Sequence, residues 1–148
     1  MQSALFRLVP PRLRHTMTPA RLTVARQFMR FAAVGLAGFV VDTATVYALR
    51  HALGLYGAGL VAYLLAASMN WLLNRIWTFR GLGSSRAHRQ WGLFMITNLA
   101  GFALNRGTYA LLVTFLVAAA DQPVIATAAG AAAGMLVNFD LSRRLVFR

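Results

Sequence analysis

Four apolar stretches divide the chain, each bounded by arginine, glycine or proline. The first runs over about residues 31–49 and ends at Arg50 and His51, and the second covers about 55–73 after a short connection at Gly54 and Gly57. The third covers about 91–116, and the fourth, short and rich in Ala and Gly, about 124–139. At about 1.5 Å per residue, a stretch of this kind crosses a hydrocarbon core of about 30 Å as a helix. The pattern predicts an all-α integral membrane protein with four transmembrane helices. Between the third and fourth, a turn of small residues is expected through Asp121 and Pro123.

The apolar pattern is itself repeated. SMNWLLNRIWTFR, from Ser68 to Arg80, returns as LVNFDLSRRLVFR, from Leu136 to Arg148. The copies match Asn70 with Asn138, Trp71 with Phe139, Arg75 with Arg143 and Phe79 with Phe147. Upstream, RQFMRFAAVGLAGFVVD (Arg26 to Asp42) aligns with RQWGLFMITNLAGFALN (Arg89 to Asn105), keeping Arg, Gln, Phe and the LAGF run. An internal repeat sets the architecture before any other consideration. The expected organisation is a basic cytoplasmic tail over 1–25, a first repeat over 26–80, a cytoplasmic loop over 81–88 and a second repeat over 89–148. Each repeat holds two spans, so the copies share one orientation and are parallel repeats.

Composition and charge sharpen this picture. The chain is 59% hydrophobic and only 12% charged, far from the roughly 25% charged residues of soluble domains. All fifteen basic residues are arginine, and the acids are Asp42, Asp121 and Asp140. The net charge of +12 would suggest nucleic acid in a soluble protein, but here the arginines cluster at the ends of apolar runs. That is the signature of membrane topology, and nucleic acid is excluded as a partner. Arginines crowd before span one, between spans two and three, and after span four, whereas the opposite side has Arg50 alone. The positive-inside rule then puts both termini and the middle loop in the cytoplasm. Pro10, Pro11 and Pro19 interrupt the N-terminal tail without an apolar run, which argues against a cleaved signal peptide.

Candidate chemistry lies in the few polar groups within the spans. Gly35, Gly38, Phe39 and Asp42 recur at helical spacing, as do Asn98, Gly101, Phe102 and Asn105. Both stripes are expected to face the bundle interior. Asp42, Asn98, Asn105 and Arg106 form a candidate intramembrane polar path, because a charge at that depth is costly unless paired or used. An Asp42–Arg106 pair that merely fixes the packing is the alternative. Near the cytoplasmic ends, Asn70, Asn74, Arg75, Asn138 and Arg143 form a candidate lipid-phosphate or headgroup site. Asn supplies donors and an acceptor, and Arg a planar fork that fits phosphate oxygens. The plainer account makes these arginines topology anchors, with Trp71, Trp77, Phe79 and Phe147 as an aromatic belt. Gly130 and Gly134 form a GxxxG packing face whose counterparts are Ala62 and Ala66. Cysteine is absent, and no catalytic, metal-ligating or cofactor motif is found, so the chain is not expected to be an enzyme.

RFAAVGLAGFVVD in the first span, NWLLNRIWTFR closing the second and NFDLSRRLVFR closing the fourth together resemble the GtrA-like family of small four-span membrane proteins. The resemblance covers about Arg26 to Arg148. It implies flipping of a polyprenyl-phosphate (undecaprenyl-phosphate) sugar across the bacterial cytoplasmic membrane, for cell-surface polysaccharide or O-antigen glycosylation. It implies membrane lipid and a membrane glycosyltransferase as partners. A non-transporting subunit that anchors or recruits such a transferase is the competing reading. A small multidrug transporter is disfavoured, since those proteins use a membrane-embedded Glu and this chain has none. A chain this small barely encloses a sugar path alone, which leaves a homodimer open. Asp140 and Arg144 replace Leu72 and Ile76 of the first copy, so the two cytoplasmic ends are expected to be chemically unequal.

Overall fold

The structure is a computed structural model that describes residues 18–82 and 86–148; most of the expected basic tail and part of the middle loop lie outside them. The described residues form helices α1 (Pro19–Leu73), α2 (Ala87–Phe115), α3 (Val117–Asp121) and α4 (Pro123–Leu141). Helix α1 opens with Thr18 as cap, its hydroxyl accepting from the Arg21 amide at 3.3 Å, and with Pro19 in the first turn. It therefore begins inside the stretch expected to be tail, because cap and proline together are a stronger start signal than the onset of the apolar run.

Helix α1 is one continuous run only in name. Gly54 adopts φ 67°, ψ 173°, a conformation that side chains with a Cβ avoid, and the chain reverses there. The two arms pack antiparallel. A Cβ at Gly38 would collide with the Asn70 carboxamide, Phe31 meets Phe79 at 6.4 Å, and Arg30 Nη1 donates to the Trp77 carbonyl at 3.0 Å. Helices α2 and α4 form a second hairpin of the same plan. Gly101 lies against Asn138, Phe94 meets Phe147 at 6.2 Å, and Gln90 Nε2 donates to the Val146 carbonyl at 3.1 Å. Its bend differs from the expected simple turn. Leu116 and Gln122 are extended, and the five-residue α3 lies between them, held by Leu116 carbonyl bonds to the Ala119 and Ala120 amides.

Each hairpin ends in a π-turn, Asn74–Thr78 in the first and Ser142–Val146 in the second. The Phe79 amide reaches the Asn74 carbonyl at 2.8 Å, and the Phe147 amide reaches Ser142 at 2.9 Å. The wider turn inserts one residue into the helical register and swings the following phenylalanine inward. Phe79 and Phe147 then stack on each other at 4.7 Å and 13°, both essentially fully buried. Phe31, Phe94 and Phe139 complete an aromatic plug that joins the hairpins at this end.

The rest of the apolar surface points outward. The segments Pro19–Thr78 and Pro123–Val146 are long and apolar enough to cross a membrane, with mean hydropathy 1.6 and 1.5. Only 22% of either apolar window is buried, so these side chains are not spent on an internal core. Leu36, Leu60, Ile96 and Leu136 are among the large apolar residues left exposed. Such a surface suits lipid and is far larger than soluble proteins display.

Candidate functional site

The repeated asparagines owe their position to glycine. Asn70 sits in a notch that exists because residue 38 has no Cβ, and Asn138 sits in the matching notch at Gly101. The GxxxG pair does the same for backbone. A Cβ at Gly130 would lie 2.6 Å from the Asn105 carbonyl, and one at Gly134 2.7 Å from the Gly101 carbonyl. These glycines therefore meet α2 within one chain. Ala62 and Ala66 are buried at the equivalent places of the first hairpin.

Between the hairpins lies a cleft of about 400 Å³. Asn70 and Asn74 line it from the first hairpin, Asn98 and Asn138 from the second, and Phe31 and Phe94 also form walls. Its lining contains no charged side chain. Asn98 Nδ2 donates to the Phe94 carbonyl at 2.8 Å, one turn back on its own helix. The other three carboxamides are unusual, because the Oδ1 atoms of Asn70, Asn74 and Asn138 are buried with no hydrogen-bond partner. Each such orphan costs about 1–3 kcal/mol, and buried polar groups without partners call for an explanation. Asn74 is the extreme case at 1% exposure.

The expected site residues thus divide. Asn70, Asn74, Asn138 and Asn98 come together, although sequence reasoning had assigned the last to a separate path. Arg75 and Arg143 are not part of the cleft lining. Arg75 Nη1 donates to Gln90 Oε1 and its guanidinium lies 5.8 Å from the Trp71 ring centre. Trp71 Nε1 donates to the same Gln90 oxygen at 3.3 Å. Gln90, 5% exposed, is the buried polar link between the hairpins, beside the more exposed bond from Trp91 Nε1 to Ser68 Oγ at 3.0 Å, and sequence reasoning did not single it out. The signal was the Arg-Gln pair kept in both repeats. Arg143 is exposed, and its neighbour Arg144 pairs with Asp140 at 2.7 Å, the inequality expected between the two ends.

The remaining path residues stay apart. Among the described residues the Arg144–Asp140 contact is the ion pair found, and Asp42 and Arg106 form none with each other. Asp42 is half-buried, while Arg106 is exposed and lies over the Phe102 ring at 5.5 Å. Phe39 and Phe102 point outward, 67% and 58% exposed, contrary to the expectation that their stripes face inward. The glycines take the interior positions, and the bulky residue beside each turns to the surface. Asn105 packs against Gly130 with its carbonyl and against Gly134 with its Cβ, and its side chain is not part of the cleft lining. Among the described residues, no cluster of three His, Cys, Asp or Glu side chains is present to hold a metal.

Two glycine-seated asparagines and two aromatic-closed repeat ends recur in register with the sequence repeat, around a polar cleft between apolar hairpins. Residues 30–147 match the GtrA/DPMS transmembrane domain. The chain belongs to that family. No curated protein matches it. Family membership makes it a membrane protein and connects it with membrane handling of polyprenyl-phosphate-linked sugars.

Proposed function

We propose that this GtrA/DPMS-family chain moves a polyprenyl-phosphate-linked sugar from the cytoplasmic to the outer leaflet of a bacterial inner membrane, where a membrane glycosyltransferase uses it. The observation that carries this reading is the carboxamide-lined cleft enclosed by otherwise apolar hairpins. A hydroxyl-rich headgroup needs hydrogen-bonding partners while it leaves water, and its isoprenoid tail needs lipid. The cleft supplies the first, and the exposed apolar faces supply the second.

Four membrane passes with cytoplasmic termini complete the reading. The segment Pro19–Thr78 has 60 residues, about 90 Å of helix, or roughly three hydrocarbon thicknesses. Reversal at Gly54 supports two passes within it. The antiparallel pairing of α2 with α4 supports a third and fourth, the third being less apolar because it carries Asn98, Asn105 and Arg106. Arg75, Arg80, Arg143 and Arg148 lie in or next to the paired π-turns in sequence, and Arg30 reaches the Trp77 carbonyl there, which supports a cytoplasmic placement of that end.

The test is leaflet exchange in liposomes carrying a polyprenyl-phosphate sugar, read with a membrane-impermeant reagent. Wild-type protein is expected to accelerate exchange over protein-free vesicles. An Asn74→Leu/Asn98→Leu variant should slow it about tenfold or more, the kinetic equivalent of one lost buried hydrogen bond. Absence of exchange from folded wild-type protein would sink the translocation reading. It would favour a subunit that anchors a transferase through its exposed arginines.

A further inference from the structure

We infer that the cleft is a subsite for an uncharged, hydroxyl-bearing sugar, and that the phosphate of the same lipid stays outside it. This inference rests on the translocation reading and divides its ligand between two places.

The first argument is the chemistry of the lining. Its polar side chains are four neutral carboxamides, Asn70, Asn74, Asn98 and Asn138. A carboxamide offers donors and an acceptor at once, which is also what a hydroxyl needs. A phosphate uses donors only, and an ammonium group acceptors only. Either would leave part of every carboxamide unmatched.

The second argument is the state of those carboxamides. Asn70, Asn74 and Asn138 each hold an oxygen buried and without partner. Each carboxamide therefore keeps an unused acceptor beside its NH₂ donor. Three such groups around one cavity suit a ring of hydroxyls of mixed polarity. Phe31 and Phe94 add apolar walls for the C–H face of a pyranose.

The third argument concerns charge. The arginine following Asn74 in sequence, Arg75, is committed to Gln90 and Trp71. Arg30 is held by the Trp77 carbonyl and ring, and Arg144 by Asp140. None of these cations lines the cleft. An anion inside would therefore be desolvated without a counter-charge, which is strongly unfavourable. Phosphate belongs at the wet, arginine-rich end, where Arg143 is exposed.

The consequence is selectivity between sugars. Lipids bearing a neutral hexose should bind well, and those bearing a hexuronate poorly. Thermal unfolding of the purified full chain in detergent reads this directly, titrated with three probes: polyprenyl phosphate bearing a neutral hexose, the same lipid bearing a hexuronate, and bare polyprenyl phosphate. The neutral probe should bind about tenfold or more tightly than either of the others, the worth of one good buried hydrogen bond. Asn74→Leu, which keeps the number of side-chain heavy atoms and removes an orphaned oxygen, should fold and should bind the neutral probe no better than the bare lipid. Equal binding of the hexuronate, or of bare polyprenyl phosphate, would overturn the subsite and leave translocation standing. Failure of all three to bind folded wild-type protein would overturn both.

Discussion

The two hairpins are copies of one unit, and they differ most where they touch each other. Within each hairpin the plan is kept: a glycine notch holds an asparagine, and a π-turn delivers a buried phenylalanine. Across the interface it is not. Gln90 of the second hairpin accepts from Trp71 and Arg75 of the first and donates to Val146. Its counterpart Gln27 faces Phe139 and Arg143 in the repeat alignment. Phe139 has no N–H to give and Arg143 is exposed, so Gln27 Oε1 is buried without a partner. Helix pairing also differs. Gly130 and Gly134 bring α4 against carbonyls of α2, whereas Ala62 and Ala66 interpose a methyl group in the first hairpin. The duplicated chain thus keeps the asparagine notch and the π-turn in both copies, and differs in the contacts of its glutamines and in the closeness of its helix pairs.

The comparison is broken hardest at the aromatic plug, where the copies should behave alike. Phe79→Ala and Phe147→Ala each empty a fully buried ring site shared by both hairpins. Each should destabilise by about 3–5 kcal/mol, and by similar amounts, in reversible detergent unfolding. A large difference between the two would show that the plug belongs to one hairpin.

Helix pairing gives the next largest effect. Gly134→Ala drives a methyl into the Gly101 carbonyl, which as backbone cannot step aside, and should cost about 1–3 kcal/mol. Ala66→Gly, the reverse exchange in the first hairpin, should cost about 1 kcal/mol through helix propensity alone. Equal costs would remove the claimed difference in closeness.

The glutamines give the smallest total change and the sharpest contrast. Gln90→Leu strands an indole N–H, a guanidinium and a carbonyl, and should lose about 1–3 kcal/mol. Gln27→Leu deletes an orphaned acceptor and should be neutral or slightly stabilising, within about 0.5 kcal/mol. The same unfolding measurement on both variants decides it, and a Gln27→Leu loss matching that of Gln90→Leu would mean Gln27 has a partner after all.

Much of the fold was legible from local pattern. The apolar runs marked α2, α4 and the second arm of α1 to within a few residues, because hydropathy is written along the chain, whereas the first arm begins well before its apolar run, at Pro19. The repeat foretold that Asn70 and Asn138 are equivalent, and that Phe79 and Phe147 are. The π-turns were not foreseen, since an inserted residue leaves no mark in a 3.6-residue period. The orientation of the Phe39 and Phe102 faces was misjudged for a related reason: a stripe of Gly, Phe and a polar residue has two sides, and only the partner helix selects the glycine side.

The sequence by itself determined that this is a duplicated helical membrane protein of the GtrA/DPMS family, with most of its arginines outside the apolar runs. Hydropathy, charge placement and repetition are one-dimensional properties, and they survive in the order of residues. Only the tertiary structure decided that Asn98 joins Asn70, Asn74 and Asn138 around one cleft, and that Arg75 is bound while Arg143 is exposed. Those outcomes depend on rotation of one helix against another. Close approach at glycines fixes that rotation, and the glycines' contacts lie dozens of residues away in the chain.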